Sequence, residues 1–285
     1  MQEAATLLAP WAGRRRRAQE LRQKRPFAAE VLNLYLALLD VQEPAYEAAR
    51  ADPPPVAGLA EYAARWVLPR VVEATVASGP AKLVETVVAR FHAADLEDLM
   101  GRWLASGGVA AGEGLGPAAA TGGLPPLEEQ APGDRYLARA SLQPLLEALG
   151  PEVAAMCAGP RDRAHCPHCG GLPQLAYFAS SGEQLTTGPR YLVCARCAAQ
   201  WQYPRMTCAA CGEQTTARLP IFEDQQELPG ARIDACESCR RYLLTFDLRK
   251  DAGQVPLVDE LASIPLDLYA KERGLKKVTP NLVGI

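Results

Sequence analysis

The sequence predicts an α+β protein: a multi-helix N-terminal domain, two tandem four-cysteine modules built on short strands, and a C-terminal helical tail. Three observations predict it. Eight of the nine cysteines fall between Cys166 and Cys239 in four Cys-x-x-Cys pairs, and each pair of the first half recurs 42 residues on. Residues 1–155 carry apolar side chains at helical spacing, with few strand-like runs. At 285 residues and 48% hydrophobic content the chain is long enough for more than one domain and apolar enough for a sizeable core. The expected division is a helical domain over 1–155, a first module over 156–205, a second over 206–250 and a helical tail over 251–285.

The helical elements follow in order. Val31, Leu34, Tyr35 and Leu38 fall at i, i+3, i+4 and i+7, one face of an amphipathic helix, which Asp52-Pro53-Pro54-Pro55 ends. A second stretch carries Leu59, Tyr62, Ala63 and Trp66 and should kink near Pro69. A third, after Gly79-Pro80, carries Leu83, Val84, Val87, Val88 and Phe91. Asp95 can cap a fourth through Leu96, Leu99, Met100 and Trp103, because its carboxylate can accept from free first-turn N–H groups. Residues 106–126, rich in Gly, Ala and Pro, predict a long loop. A last helix over 135–149 turns Tyr136, Leu137, Ala140, Leu145 and Leu146 inward, and Pro144 can bend it. The Arg14 to Arg17 run reads as a solvated helix face.

In the cysteine region the pairs are Cys166/Cys169, Cys194/Cys197, Cys208/Cys211 and Cys236/Cys239. Each copy reads C-x2-C-x24-C-x2-C, a spacing in which two tight knuckles bring four thiolates to one tetrahedral ion. Gly170 and Gly212 follow the first knuckle of each copy and permit the left-handed turn that closes it, while Pro167 stiffens the first. Strands are expected over 172–178 and 190–193, with Arg190/Arg232 and Tyr191/Ile233 echoing at the same offset. These features describe two rubredoxin-like, or zinc-ribbon, modules. Four thiolates suit zinc and iron alike. Duplication of the whole unit favours pairing in sequence order over cross-bracing. Disulfides are the competing reading; the exact repeat and the absence of a secretory pattern argue against them. Cys157 reads as a small buried hydrophobe, His92 as structural or exposed, and His165 and His168 as loop residues beside a shell that four thiolates already complete. After Cys239, residues 242–248 predict a closing strand, and Val258, Leu261, Leu266, Leu268 and Tyr269 a helical tail.

Charge and targeting narrow the function classes. Net charge is −3, and from Met156 onward 15 Lys and Arg face 14 Asp and Glu, so the cysteine region lacks the basic excess of a nucleic-acid binder. No apolar run approaches the roughly 20 residues of a membrane span. Leu7, Leu8 and Trp11 precede the arginines, and polar Ala18-Gln19-Glu20 follows them, the reverse of a paired-arginine export signal, so a cytoplasmic location is expected. No phosphate loop, Ser/His/Asp set or carboxylate pair nominates a catalytic group, and the chain is expected not to be an enzyme.

The sequence resembles the FdhE family of formate dehydrogenase accessory proteins. The resemblance rests on Cys166-Pro167-His168-Cys169-Gly170, on Arg190-Tyr191-Leu192-Val193-Cys194-Ala195-Arg196-Cys197, on Trp201, Arg205 and Cys208-Ala209-Ala210-Cys211-Gly212, and on Cys236-Glu237-Ser238-Cys239. It continues through Val258-Asp259-Glu260-Leu261-Ala262 to Pro280-Asn281-Leu282, and departs at Gly171, often Ser in the family, and at Leu244, where Lys is expected. The resemblance implies a cytoplasmic maturation factor that binds the catalytic subunit of a respiratory formate dehydrogenase before export, with iron at two mononuclear four-cysteine sites and zinc as the alternative. A homodimer is compatible with this reading; a zinc-ribbon nucleic-acid module and a rubredoxin-like electron carrier are the competing ones.

Overall fold

The computed structural model describes residues 10–93, 95–105, 131–179 and 188–284. Leu7, Leu8 and the loop expected over 106–126 lie outside them.

Among the described residues seven α-helices precede the strands: α1 (Trp11–Lys24), α2 (Ala29–Ala51), α3 (Leu59–Tyr62), α4 (Leu68–Ser78), α5 (Ala81–Ala93), α6 (Leu96–Ala105) and α7 (Pro132–Leu149). Leu34, Tyr35 and Leu38 of α2 are buried, and the helix ends at Ala51 before the triple proline. Between α3 and α4 the chain winds as a π-helical turn over Ala63–Val67. Pro69 has no N–H to return to residue 65, so the α ladder cannot run through. Trp66, Val88 and, later, Leu268 face solvent although their spacing placed them with apolar neighbours. Asp95 does cap α6: its Oδ1 accepts from the Asp98 N–H at 3.0 Å. All five inward positions named for α7 are buried.

The arginine run does not form a solvated face. Arg14 and Arg17 are buried, Arg14 paired with Glu147 of α7 and Arg17 with Asp259, whose carboxylate lies 2.6 Å away. Arg16 is exposed, as expected, and Arg15, paired with Asp40 and Glu43, is half-buried.

Among the described residues one seven-stranded sheet follows: β1 (Pro173–Phe178), β2 (Arg190–Cys194), β3 (Gln200–Gln202), β4 (Ile221–Glu223), β5 (Ala231–Ala235), β6 (Arg241–Asp247) and β7 (Lys276–Lys277). The order is β3-β2-β1-β6-β5-β4, with β7 beside the start of β6. Copy one contributes third, second and first strands, copy two repeats that order, and a parallel β1–β6 seam joins them. Strand 242–248, expected to close the sheet, is therefore its centre: β6 is buried along its whole length.

The tail wraps this assembly. Its expected helix is split into α8 (Pro256–Asp259) and α9 (Ile264–Glu272) by a 3-10 turn before Pro265, which has no N–H to return to the Leu261 carbonyl and so sits in the first turn of a new helix. One sheet face, with Ile233, Leu244, Phe246 and Leu175, packs on Leu266 and Ala270 of α9. Arg17 of α1 clasps α8, and Lys277 of β7 sits between Glu260 and Asp267 at 2.8 and 3.0 Å. No described helix is long and apolar enough to cross a membrane.

Candidate metal centres

The local backbone builds each knuckle before the thiols meet. In the first, the Cys166 N–H donates to the Gly171 carbonyl and the Gly170 N–H to the Cys166 carbonyl, with Gly170 at φ 69°. The second copy repeats this with Cys208, Glu213 and Gly212, whose φ is 77°. The later knuckle of each copy uses the same left-handed position without glycine: Ala198 (φ 56°) and Arg240 (φ 57°) follow Cys197 and Cys239. Backbone N–H groups of Arg196 and Ala210 point at the sulfurs of Cys194 and Cys208.

The eight cysteines gather in sequence order into Cys166, Cys169, Cys194, Cys197 and into Cys208, Cys211, Cys236, Cys239, with the sulfurs of each quartet within 4.8 Å of one another. Sulfur pairs stand at 3.6 Å (Cys166–Cys197), 3.3 Å (Cys169–Cys194), 3.8 Å (Cys208–Cys239) and 3.7 Å (Cys211–Cys236). A tetrahedron of thiolates about 2.3 Å from a central ion has edges of about 3.8 Å, so both quartets could hold a metal ion. His165 turns to Asp162 instead, at 2.7 Å, and neither it nor His168 nor His92 joins a quartet.

The quartets differ in setting. All four sulfurs of the first belong to buried residues, inside the apolar cluster formed by Leu137, Leu142 and Trp103 of the helices. In the second, Cys236 is buried, Cys208 and Cys239 are half-buried and Cys211 is exposed. In each, some thiols are shifted down and others up. Hydrogen bonding from Cys166, then Cys194, holds Cys169 far below the ordinary thiol range, and that from Cys239 draws Cys208 down to about 5. Burial in turn raises Cys194, and the hydrogen bond to Cys208 raises Cys239. Four thiols this close cannot all ionise alone; a bound cation lifts that conflict.

Sequence reasoning missed Arg196, inside the knuckle Cys194-Ala195-Arg196-Cys197. It is 1% exposed, lies 4.4 Å over the Trp103 ring and donates to the Trp103 and Leu104 carbonyls at the end of α6. An arginine between ligand-type cysteines carries no sequence signal for burial, because its partners lie about ninety residues upstream. Cys157 is buried beside it, and burial pushes its thiol up to about 11, in keeping with an inert side chain. Trp201 is half-buried and donates to the Arg163 carbonyl.

Residues 165–205 match the family model "FdhE, central domain" and residues 206–283 "FdhE, C-terminal domain". The protein FdhE homolog of Aquifex aeolicus (strain VF5) is 36% identical over 120 residues, 42% of this chain and 41% of that protein. The homolog from Pseudomonas aeruginosa strain PAO1 is 38% identical over 124 residues, 42% of this chain and 40% of that protein. The aligned stretch thus spans about two fifths of these curated relatives. The crystal structure of the FdhE protein from Pseudomonas aeruginosa shares the fold, with a TM-score of 0.63 at 24% identity over 96% of this chain and 94% of that one. Both cysteine quartets lie within the residues that match the FdhE central and C-terminal domain models.

Proposed function

We propose that the chain is a cytoplasmic accessory protein for maturation of the catalytic subunit of a respiratory formate dehydrogenase. In this proposal Cys166, Cys169, Cys194 and Cys197 ligate one mononuclear iron and Cys208, Cys211, Cys236 and Cys239 a second, zinc being the alternative. The helical domain (1–155) and tail (251–285) frame the two modules (156–205 and 206–250). The role is binding, not catalysis.

The observation that carries the reading is the unequal exposure of two otherwise matching quartets. The first is sealed into the helical core, as a structural site would be; the second opens at Cys211, in the copy that supplies β4, an edge strand among the described residues. An exposed strand edge accepts an extended segment of another protein by backbone pairing. The near balance of charge supports a protein partner over nucleic acid.

The tagged chain, incubated with extract of cells making a respiratory formate dehydrogenase, is expected to retain that enzyme's catalytic subunit after nuclease treatment and at high salt. Recovery of RNA whose removal releases all bound protein, or of no such subunit, overturns the proposal.

A further inference from the structure

Away from α9, the sheet holds a cavity of about 50 Å³ lined by Arg190 of β2, Arg232 and Asp234 of β5, Arg241 of β6, and Arg205 and Cys208 of the segment between β3 and β4. A water-sized group needs about 15 Å³ of such space, so there is room for about three or four, enough for one small anionic group. The register explains the convergence. Arg190 pairs with Phe178, Phe178 with Asp247, and Arg232 with Thr245 two residues back along the same strand, so these side chains share a face. Arg190 and Arg232 are the echo of the 42-residue repeat, brought together because the copies stand side by side.

The guanidiniums of Arg190, Arg205 and Arg232 are unevenly served by Asp234, the Cys208 sulfur and Glu223, which lies 4.0 Å from Arg232. Asp234 serves two guanidiniums at once, Arg190 at 3.2 Å and Arg232 at 2.8 Å. Arg190, 3% exposed, gives Nη1 to the Thr207 carbonyl, but its Nε has no hydrogen-bond partner among the described residues. Arg205 stacks 4.4 Å over Phe178 and donates to the Gly188 carbonyl, with no carboxylate at ion-pair distance among the described residues. Burial, then the neighbouring Arg249 and Arg232 charges, hold its guanidinium below the usual arginine range. Three guanidiniums, those of Arg205, Arg232 and Arg249, crowd the one Phe178 ring. A buried, unsatisfied donor beside a guanidinium that has no carboxylate of its own among the described residues calls for an anion.

The rim identifies its source. Met206 and Ile221, 49% and 46% exposed, flank the opening, and Ile221 begins the edge strand β4. We propose that this cavity receives the carboxylate of an Asp or Glu side chain in an extended segment of a protein partner, whose flanking apolar residues rest on Met206 and Ile221. Guanidinium forks match a planar carboxylate in two-point contact. Asp234 inside the cavity disfavours a dianionic phosphate more than a monoanion. The proposal does not depend on which protein supplies the segment, so failure to capture a formate dehydrogenase subunit leaves it standing.

The test uses the whole chain and follows the arginine Nε–Hε NMR signals during titration with sodium acetate, neutral acetamide and inorganic phosphate. Acetate is expected to shift Arg190 and Arg205 saturably, and acetamide not. Arg205→Gln is expected to weaken acetate binding at least about tenfold, and Arg205→Lys, which keeps the charge without the fork, by less. The capped peptide acetyl-Val-Glu-Val-amide is expected to bind more tightly than its Gln counterpart. Absence of a saturable acetate shift, an equal response to acetamide, or phosphate binding tenfold tighter than acetate overturns the proposal. The wild-type comparison of acetate with acetamide decides the matter even if both variants fail to fold.

Discussion

Four residues, one behind each knuckle, show how finely the duplication is copied. Gly170, Ala198, Gly212 and Arg240 all take left-handed backbone, and each lies 42 residues from its counterpart. The two glycines announced the turn; Ala198 and Arg240 did not, since only the repeat, and no residue type, marked them. The glycines differ in surroundings. A Cβ on Gly170 would stand 3.0 Å from the Gly159 and Pro160 backbone, whereas one on Gly212 would meet nothing within 4 Å. Gly212→Ala is therefore expected to cost only the left-handed penalty, about 1–2 kcal/mol. Gly170→Ala should cost clearly more, because backbone, unlike a side-chain tip, cannot swing aside. Thermal melts of the two variants check this, and equal losses would contradict the close packing of the first knuckle on residues 159–160.

Among the elements, helices were legible where apolar spacing was regular and where proline stopped them, as at α2 and at the α3–α4 junction. The strands of the first copy were legible from β-favouring residues between knuckles. What spacing could not disclose was charge burial, because the partners of Arg14 and Arg17 lie 133 and 242 residues away. The pair of Arg17 with Asp259 binds α1 to α8, and the Asp259 carboxyl is 1% exposed in its side chain. Burial already pushes that carboxyl above the usual range even with Arg17 present. Arg17→Ala, which strands the carboxylate, is expected to destabilise the chain by about 3–5 kcal/mol at neutral pH. Below the raised Asp259 pKa the loss should shrink, since the protonated acid no longer needs a cation. Arg15→Ala, whose partners Asp40 and Glu43 are more open, should cost about 0–1 kcal/mol. Urea midpoints of both variants at neutral and acidic pH provide the comparison; a mild Arg17→Ala would mean that the tail is held chiefly by apolar contact.

For the whole molecule, the tandem duplication was plain in the cysteine spacing, which favoured the sequence-order grouping into two quartets that the structure shows without excluding cross-bracing. The arrangement of the copies was not, because the β1–β6 seam pairs strands of different copies in parallel, and no turn between them sets its register. Nor did the sequence reveal that the first quartet shares its apolar cluster with the helices while the second lies outside it, with Cys211 exposed. A buried run of side chains, Arg139 to Gln174 to Glu260 to Lys277, links the last helix, the first copy and the tail. If each quartet holds one ion, the two ions must differ in access. The most direct test is time-resolved release of metal from anaerobically purified protein into excess chromophoric chelator, with the total set by elemental analysis. The expected result is two ions per chain, one released quickly from the quartet containing Cys211 and slowed by no helical cover, the other retained until the helices open. A total of one ion per chain, with four thiols free to titrate, would contradict the two-centre account.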